Sequence, residues 1–291
     1  MTFTSPTTVE LPQGTIRYRD SGSGEPLVFL HGALVNGTLW RGVTPLLEER
    51  FRCVVPDLPL GSHEIPMHPE ADLSPPGLAR LVADFLEALE LERVTLIGND
   101  TGGAVCQLVA TQHPERIARL VLTPCDAYEN FLPLAFRYLQ LTARIPGGTT
   151  LLSKSMRFDF VRRAPIAYGW LTKRPVPADV LDGWTAPVMA DAGVRRDIGK
   201  VLRGISNRYT LEAAERLRDF DRPTLIAWTS EDRFFKPEHA ERLAQTVPNA
   251  RLVWIEDSRS FVPEDQPERL ADAIAEFIRE TPATDRAAGG G

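Results

Sequence analysis

The sequence predicts an α/β fold with a mostly parallel, doubly wound sheet and an inserted helical cap. Short, continuously apolar runs alternate with amphipathic helical stretches between residues 8 and 122, and the same alternation returns after residue 223. Residues 128–209 interrupt it with helical stretches that contain no strand pattern. Apolar strands without polar alternation are buried on both faces, which requires helices on both sides of a parallel sheet.

The predicted strands are short apolar or β-branched runs, and they comprise residues 15–18, 26–30, 51–55, 94–97, 120–122, 224–228 and 252–255. The predicted core helices have apolar residues at helical spacing, and they comprise residues 40–47, 78–91, 104–110, 238–247 and 270–278. Because the two sets alternate along the chain, the helices are expected to connect parallel strands.

The chain therefore divides into four parts. Residues 1–124 and 210–280 form the two parts of the core, residues 125–209 form the cap, and residues 281–291, which end in three glycines, form a flexible tail. The cap is expected at a loop on the carboxyl edge of the sheet, where open α/β sheets bind their ligands.

Composition and charge limit the classes of function. The 291 residues are 43% hydrophobic and 25% charged, with a formal net charge of -6, as in an ordinary soluble globular protein. The acidity and the scattered basic residues argue against nucleic acid or an anionic membrane as a partner. The first twelve residues lack the features of a signal peptide, and no apolar run reaches membrane-spanning length. We therefore expect a cytoplasmic protein with a small-molecule substrate, and a homodimer is left open.

The cysteines predict no metal site. Cys53 lies in a predicted strand and Cys106 in a predicted helix, so both are expected to be buried thiols. Neither they nor Cys125 have metal-ligand spacing with the histidines. No metal ion or cofactor is expected.

Residues 94–104 read as a strand, a tight turn and a helix. Gly98, Asp100 and Gly102 occupy the three fixed positions of the G-x-S-x-G nucleophile elbow, with aspartate in place of serine. Side chains two residues to either side of the nucleophile would collide with the neighbouring helix and strand, which explains the glycines. The alternative interpretation is an ordinary strand-to-helix turn with Asp100 as the N-cap.

A second turn supports the nucleophile elbow. The predicted strand 26–30 is followed by His31, Gly32 and Ala33, which match the His-Gly turn after the third strand of the α/β-hydrolase fold. The backbone N–H groups of Ala33 and Thr101 are expected to converge as an oxyanion hole. His31 is expected to brace this loop or to contact the substrate. The two turns together predict the α/β-hydrolase fold.

Four segments resemble epoxide hydrolases and haloalkane dehalogenases, namely residues 98–100, residues 31–32 together with Trp40 and Arg41, residues 228–235, and residues 261–267. In that family an aspartate attacks carbon and forms an alkyl-enzyme ester, which a histidine-activated water hydrolyses. The resemblance implies that Asp100 is the nucleophile and that Asp232 is the acid that orients the histidine. Asp126 lies near an alternative position for that acid.

The chain departs from the family where the histidine should be. Ser260 holds that position, and a serine cannot activate water at neutral pH, so an ester on Asp100 would persist. Thr101 replaces the tryptophan, and Ala33 the asparagine, that dehalogenases of the family carry. These two differences argue against dehalogenation.

His63 is the candidate replacement for the missing base, because it lies in the loop after the strand 51–55, at the same edge of the sheet as Asp100. The alternative is an ordinary loop histidine. Candidate substrate-binding residues are His31, Tyr128, Tyr138, Tyr168, Trp170 and Ser260, and for the cap aromatics ordinary packing is the alternative.

The leading functional hypothesis is an enzyme of the epoxide hydrolase type that acts on a small, mainly apolar molecule with Asp100 as nucleophile. The missing histidine favours a rival, in which Asp100 is a general acid or base in a lyase, isomerase or cyclase. A third hypothesis is a ligand-binding protein without turnover.

Overall fold

The computed structural model describes residues 5–282 of the chain. Except for residues 281 and 282, the predicted tail lies outside the described residues. No helix among residues 5–282 combines the length and the apolar character needed to cross a bilayer.

The sheet has eight strands in the order β1-β2-β4-β3-β5-β6-β7-β8. The strands are β1 (Thr7–Leu11), β2 (Gly14–Ser21), β3 (Pro26–Leu30), β4 (Arg52–Pro56), β5 (Val94–Asp100), β6 (Ile117–Cys125), β7 (Thr224–Trp228) and β8 (Ala250–Trp254). Strands β3 to β8 are parallel to one another, whereas β2 runs antiparallel to β1 and β4. The predicted mostly parallel sheet is confirmed. The prediction missed β1, which is a largely exposed edge strand without an apolar run.

The helices are α1 (Thr44–Leu47), α2 (Pro75–Ala88), α3 (Thr101–Gln112), α4 (Arg137–Arg144), α5 (Gly148–Ser155), α6 (Asp159–Arg162), α7 (Ala178–Ala190), α8 (Ala192–Gly204), α9 (Asn207–Arg216), α10 (Pro237–Thr246), α11 (Val262–Asp265) and α12 (Pro267–Glu280). Helix α2 shows why such segments form. The Ser74 hydroxyl accepts a hydrogen bond from the Gly77 N–H as the N-cap, and Pro75 stands at the first helical position. The predicted apolar stripe of α2 is buried in the core.

The cap comprises α4 to α8 and follows β6, at the carboxyl edge of the sheet. The predicted boundary between residues 209 and 210 falls inside α9, which packs against α3 of the core. Helix α9 therefore belongs with the core. Its buried Thr210 donates a hydrogen bond to the Tyr128 carbonyl, which ties the helix to the loop where the chain leaves β6 for the cap.

Candidate active site

Asp100 stands at a strained turn between β5 and α3. Its backbone angles are φ 54° and ψ -130°, a conformation that costs a residue with a side chain free energy and is typical of functional sites. The Asp100 side chain makes no capping hydrogen bond at the start of α3. Asp100 therefore holds the N-cap position of α3 without capping it through its side chain, and its role as nucleophile stays a prediction.

The glycines around the elbow are required by close contacts. A Cβ atom at Gly98 would lie 2.6 Å from Cys106 Sγ, and one at Gly102 would lie 2.5 Å from the His31 carbonyl oxygen. Real Cβ atoms do not approach other atoms this closely, so a side chain at either position would push α3 away from the sheet.

The His-Gly turn after β3 packs directly against the Asp100 carboxyl group. A Cβ atom at Gly32 would lie 2.2 Å from Asp100 Oδ2. Ala33, the next residue, lines the same cavity as Asp100. The two predicted oxyanion-hole residues, Ala33 and Thr101, therefore flank the Asp100 carboxyl group, and their role in the reaction stays a prediction.

Thr101 links Asp100 to a second buried acid. The hydroxyl of Thr101 donates to the Asp100 carboxyl group, with the hydroxyl oxygen 3.4 Å from Oδ1. The same hydroxyl lies 3.4 Å from Oδ2 of Asp126, whose side chain is fully buried. Asp126 Oδ1 has no hydrogen-bond partner among residues 5–282. The Thr101 hydroxyl therefore bridges two carboxyl groups.

Burial controls the protonation of both acids. Burial raises the pKa of Asp100 to about 7, the hydrogen bonds from Thr101 oppose this, and the charge of Asp232 adds to it. Burial also raises the pKa of Asp126 well above its ordinary value, and the charge of Asp100 raises it further. Burial therefore favours the protonated form of Asp126, and Asp100 changes its charge near neutral pH.

Asp232 has a serine where the family has its histidine. Asp232 Oδ1 accepts hydrogen bonds from the Phe234 N–H at 2.7 Å, the Phe235 N–H at 3.0 Å and the Ser260 hydroxyl at 2.9 Å. Burial raises the pKa of Asp232 to about 6, against the effect of these hydrogen bonds. Asn99, in the elbow, donates to the Ser260 carbonyl at 2.7 Å. The Asp232 carboxyl group is therefore hydrogen-bonded to a serine hydroxyl and not to an imidazole.

A cavity of about 50 Å³ lies between the cap and Asp100. Besides Asp100 its lining is mainly apolar and consists of Ala33, Leu34, Leu132, Phe136, Tyr138, Leu139, Met156, Ile166, Ala167, Tyr168 and Leu171. Sequence reasoning found the two tyrosines but missed the aliphatic members. Their only signal is helical apolar spacing, which also describes ordinary packing.

The model of the alpha/beta hydrolase fold family matches residues 25–267, which is most of the chain. The protein belongs to the α/β-hydrolase family. The resemblance drawn from the motifs is thereby confirmed at the level of this family, and a haloalkane dehalogenase is among the relatives.

Two curated relatives cover nearly the whole α/β-hydrolase chain. Haloalkane dehalogenase 2 of Mycobacterium tuberculosis is 28% identical over 279 residues, which cover 91% of each protein. A cis-3-alkyl-4-alkyloxetan-2-one decarboxylase of Shewanella oneidensis is 25% identical over 279 residues, which cover 91% of this chain and 86% of the relative. A solved epoxide hydrolase without ligand covers 95% of this chain and 99% of its own, with a TM-score of 0.80 and 20% identity, which shows the shared fold.

The segments of this α/β-hydrolase that carry the family resemblance are joined in space. Arg41, after the short 3₁₀ helix Gly37–Trp40, donates to both carboxylate oxygens of Glu264 in α11, with Nη2 2.8 Å from Oε2. A bidentate pair of this kind fixes geometry as well as charge. It anchors the chain just after Ser260 to the chain that follows the His-Gly turn.

His63 is hydrogen-bonded away from Asp100, so its contacts do not support the predicted catalytic role, which stays a prediction. Its Nε2 lies 3.3 Å from Asp197 Oδ2 in α8, and its Nδ1 accepts from the Gly61 N–H at 3.4 Å. Both ring nitrogens are engaged, and the side chain is buried. All five histidines of the chain lie within residues 5–282, and none is hydrogen-bonded to Asp100 or Asp232.

His31 braces the loop and does not line the cavity, so the expected substrate contact is wrong. Its Nδ1 lies 2.9 Å from the Gly32 carbonyl oxygen, and its Nε2 accepts from the Leu58 N–H at 2.8 Å. Burial lowers the pKa of His31 to about 4, so the ring is neutral. The neutral ring connects the turn after β3 to the loop after β4.

Tyr128 and Trp170 do not line the cavity, contrary to the prediction. The Tyr128 hydroxyl is 2.8 Å from the Thr246 hydroxyl in α10, and the Arg242 guanidinium lies 3.7 Å from its ring centre. Trp170 is 40% exposed, and its ring is covered by Arg233. Tyr128 therefore packs against α10, whereas Trp170 lies at the surface of the cap.

Tyr138 and Tyr168 do line the cavity, but their hydroxyl groups are occupied. The Tyr138 hydroxyl donates to the Ile166 carbonyl at 2.8 Å, and the Tyr168 hydroxyl donates to the Leu34 carbonyl at 2.5 Å. Within residues 5–282 no group of His, Cys, Asp and Glu side chains is arranged to hold a metal ion.

Proposed function

We propose that this protein is an enzyme that acts on a small, mainly apolar organic molecule, and that the Asp100 carboxyl group reacts with it directly. The mainly apolar lining of the cavity at Asp100 supports this substrate class. A cavity of about 50 Å³ is smaller than most ligand sites, so the cap has to move outward when the substrate enters.

One observation favours proton transfer over hydrolysis: the buried acids Asp126 and Asp232 lie near enough to Asp100 to act on it, and no histidine is hydrogen-bonded to Asp100 among residues 5–282. Hydrolysis of an ester on Asp100 needs a base that takes a proton from water, and the Ser260 hydroxyl at Asp232 cannot do so near pH 7. A carboxyl group with a pKa of about 7 is well suited to accept and return a proton at that pH. Asp100 is therefore a general acid or base in a non-hydrolytic reaction, such as that of an isomerase, lyase or cyclase.

The neighbours of Asp100 supply the other parts of this mechanism. When Asp100 is ionised, the Thr101 hydroxyl donates to it. Burial favours a protonated Asp126, and in that form it can donate its own O–H to the Thr101 oxygen, which strengthens the Thr101 donor through a chain of hydrogen bonds. Ionised Asp100 removes a proton from the substrate, and protonated Asp100 returns it at another atom.

A second candidate function keeps Asp100 as a nucleophile, and the strained elbow supports it. The backbone conformation at Asp100 holds the carboxyl group above the sheet, as for attack on carbon. The relative from Mycobacterium tuberculosis is named as a haloalkane dehalogenase, and the relative from Shewanella oneidensis is named as a decarboxylase of a strained four-membered ring. Without a base, the product would be a stable ester on Asp100.

Intact mass spectrometry and deuterium exchange distinguish the two candidates. The protein is incubated with small epoxides, alkyl halides and four-membered lactones, and separately with apolar ketones in D₂O. Proton transfer predicts product or ketone carrying solvent deuterium, with no change in protein mass. A persistent adduct on Asp100 would instead establish the nucleophile.

Asp100→Asn is the matching variant, and the exposed Asp272→Asn is its control. Loss of activity in the first and retention in the second would support the proposal. Rapid hydrolysis by the unmodified protein would contradict it, because such a rate requires a base. Binding of these molecules without any turnover would favour the ligand-binding hypothesis.

A further inference from the structure

The cap exposes an unusual amount of apolar side-chain surface. Among residues 5–282 eleven large apolar side chains are exposed, and eight of them lie within residues 134–170, which we name the cap face. Six of the eight are at least half exposed, namely Leu134, Leu141, Ile145, Leu151, Phe160 and Ile166. Large exposed apolar areas on soluble proteins usually mark interaction sites.

The cap face is basic, although the protein is acidic. Residues 134–170 contain six Lys and Arg residues and one Asp, a net charge of +5 in a chain with a net charge of -6. Arg162 and Arg163 are paired with Asp159. The other four basic residues are exposed and have no ion-pair partner in the described part of the chain. They are Arg137, Arg144, Lys154 and Arg157.

Apolar and basic side chains share one side of each helix. The exposed residues on α4 and the turn before it are Leu134, Arg137, Leu141, Arg144 and Ile145, with helical spacing. The exposed Leu151 and Lys154 repeat this pattern on α5. A surface of this kind is typical of helices that lie on anionic membranes, where apolar side chains enter the acyl boundary and cations meet lipid phosphates.

The cap face also reaches the cavity. Ile166 is 50% exposed on the cap face and lines the cavity at Asp100. Its carbonyl accepts the hydrogen bond from Tyr138, another cavity residue. The Ile166 side chain therefore belongs both to the cavity lining and to the exposed apolar surface of the cap.

We propose that the cap face docks on the surface of an anionic lipid bilayer and that apolar substrate enters the site from the lipid. The entry route rests on the proposed function, whereas the docking does not. This inference replaces the expectation, drawn from net charge, that the protein has no membrane partner. The net charge of -6 belongs to the whole chain, while the bilayer meets a face with a charge of +5.

The test is co-sedimentation of the full chain with vesicles. We expect the protein to bind vesicles of phosphatidylcholine and phosphatidylglycerol in equal parts, to bind pure phosphatidylcholine much more weakly, and to dissociate in 0.5 M salt. Each cation near an anionic surface contributes about fivefold to binding. The fourfold variant R137Q/R144Q/K154Q/R157Q should therefore bind at least about a hundredfold more weakly.

The apolar contribution has a matched control. Leu141→Gln, Leu151→Gln and Phe160→Gln combined should also weaken vesicle binding. The control combines Leu46→Gln, Leu211→Gln and Trp254→Gln, which change exposed apolar side chains outside the cap face and should leave binding unchanged. Circular dichroism checks that all variants are folded.

Three results would overturn the docking proposal. They are no vesicle binding by the unmodified protein, equal binding to both kinds of vesicle, and a loss of vesicle binding in the control variant equal to that in the cap-face variant. A dimer that the cap-face variant breaks, without vesicle binding, would instead identify an interface between two copies of this chain. Asp100→Asn should bind vesicles normally. Vesicle binding without turnover would support the docking and contradict the proposed function. Turnover without vesicle binding would support the proposed function and contradict the docking.

Discussion

Asp100→Asn should make the protein more stable above pH 7 while removing its activity. The Asp100 carboxyl has a pKa of about 7 in the folded protein, against 3.8 for a free side chain. Between these values the unfolded chain releases this proton while the folded protein keeps it, so the folded state loses stability as the pH rises. At pH 8 the full penalty of about 4 kcal/mol applies, and at pH 5 it is less than about 2 kcal/mol.

An asparagine has nearly the same shape and carries no charge, so the variant escapes this penalty. Urea unfolding, followed by tryptophan fluorescence, measures the free energy of unfolding of both proteins at pH 5 and pH 8. The variant should exceed the unmodified protein by up to about 4 kcal/mol at pH 8, and the difference should shrink at pH 5. The exposed Asp272→Asn should show no such pH-dependent gain. Equal stabilities at pH 8, or a difference that is the same at both pH values, would refute the argument.

Three further predictions test the other groups of the site. Ser260→His places an imidazole beside Asp232; it should lower the native activity if the elbow carboxyl transfers protons, and product analysis should show hydrolysis of epoxides only if that carboxyl is a nucleophile. His63→Ala should leave turnover within about tenfold and cost about 1 to 3 kcal/mol of unfolding free energy, because Asp197 loses a buried partner; a loss of several orders of magnitude in kcat would restore His63 as a base. Asp126→Leu has no group that can donate to the Thr101 oxygen, so the acidic limb of the pH–rate profile should shift, and an unchanged profile would exclude Asp126 from the chain of hydrogen bonds.

The fold and the elbow were predictable because they depend on local signals. The apolar runs of β3 and β5 each end in a turn whose glycine spacing is specific, and the strands lie side by side with Leu30 opposite Gly98. The same spacing placed Asp100, Ala33 and Thr101 together. The resemblance supplied Asp232 and Ser260, which are in direct contact.

The remaining site predictions depended on contacts between distant parts of the chain. His63 pairs with Asp197, which is 134 positions away and lies in a cap without a strand pattern, so no local signal announces the pair. Tyr128 and Trp170 were predicted to line the cavity because they are aromatic residues near or in the cap. The sequence does not show whether an aromatic side chain faces a cavity, the core or the surface. The positive charge of the cap face was also missed. Its basic residues are separated in the sequence by apolar residues and come together only on one side of the folded helices.

The contact between Gly32 and Asp100 limits which residues the site can accept by mutation. An added Cβ at residue 32 would lie 2.2 Å from Asp100 Oδ2, so alanine at 32 and the present position of the carboxyl group exclude each other. The Asp100 Cβ would itself lie 2.5 Å from the added atom, so removal of the carboxyl group alone does not make room for alanine. Residue 32 is therefore restricted to glycine as long as residue 100 carries any side chain in this position, whatever chemistry that side chain performs.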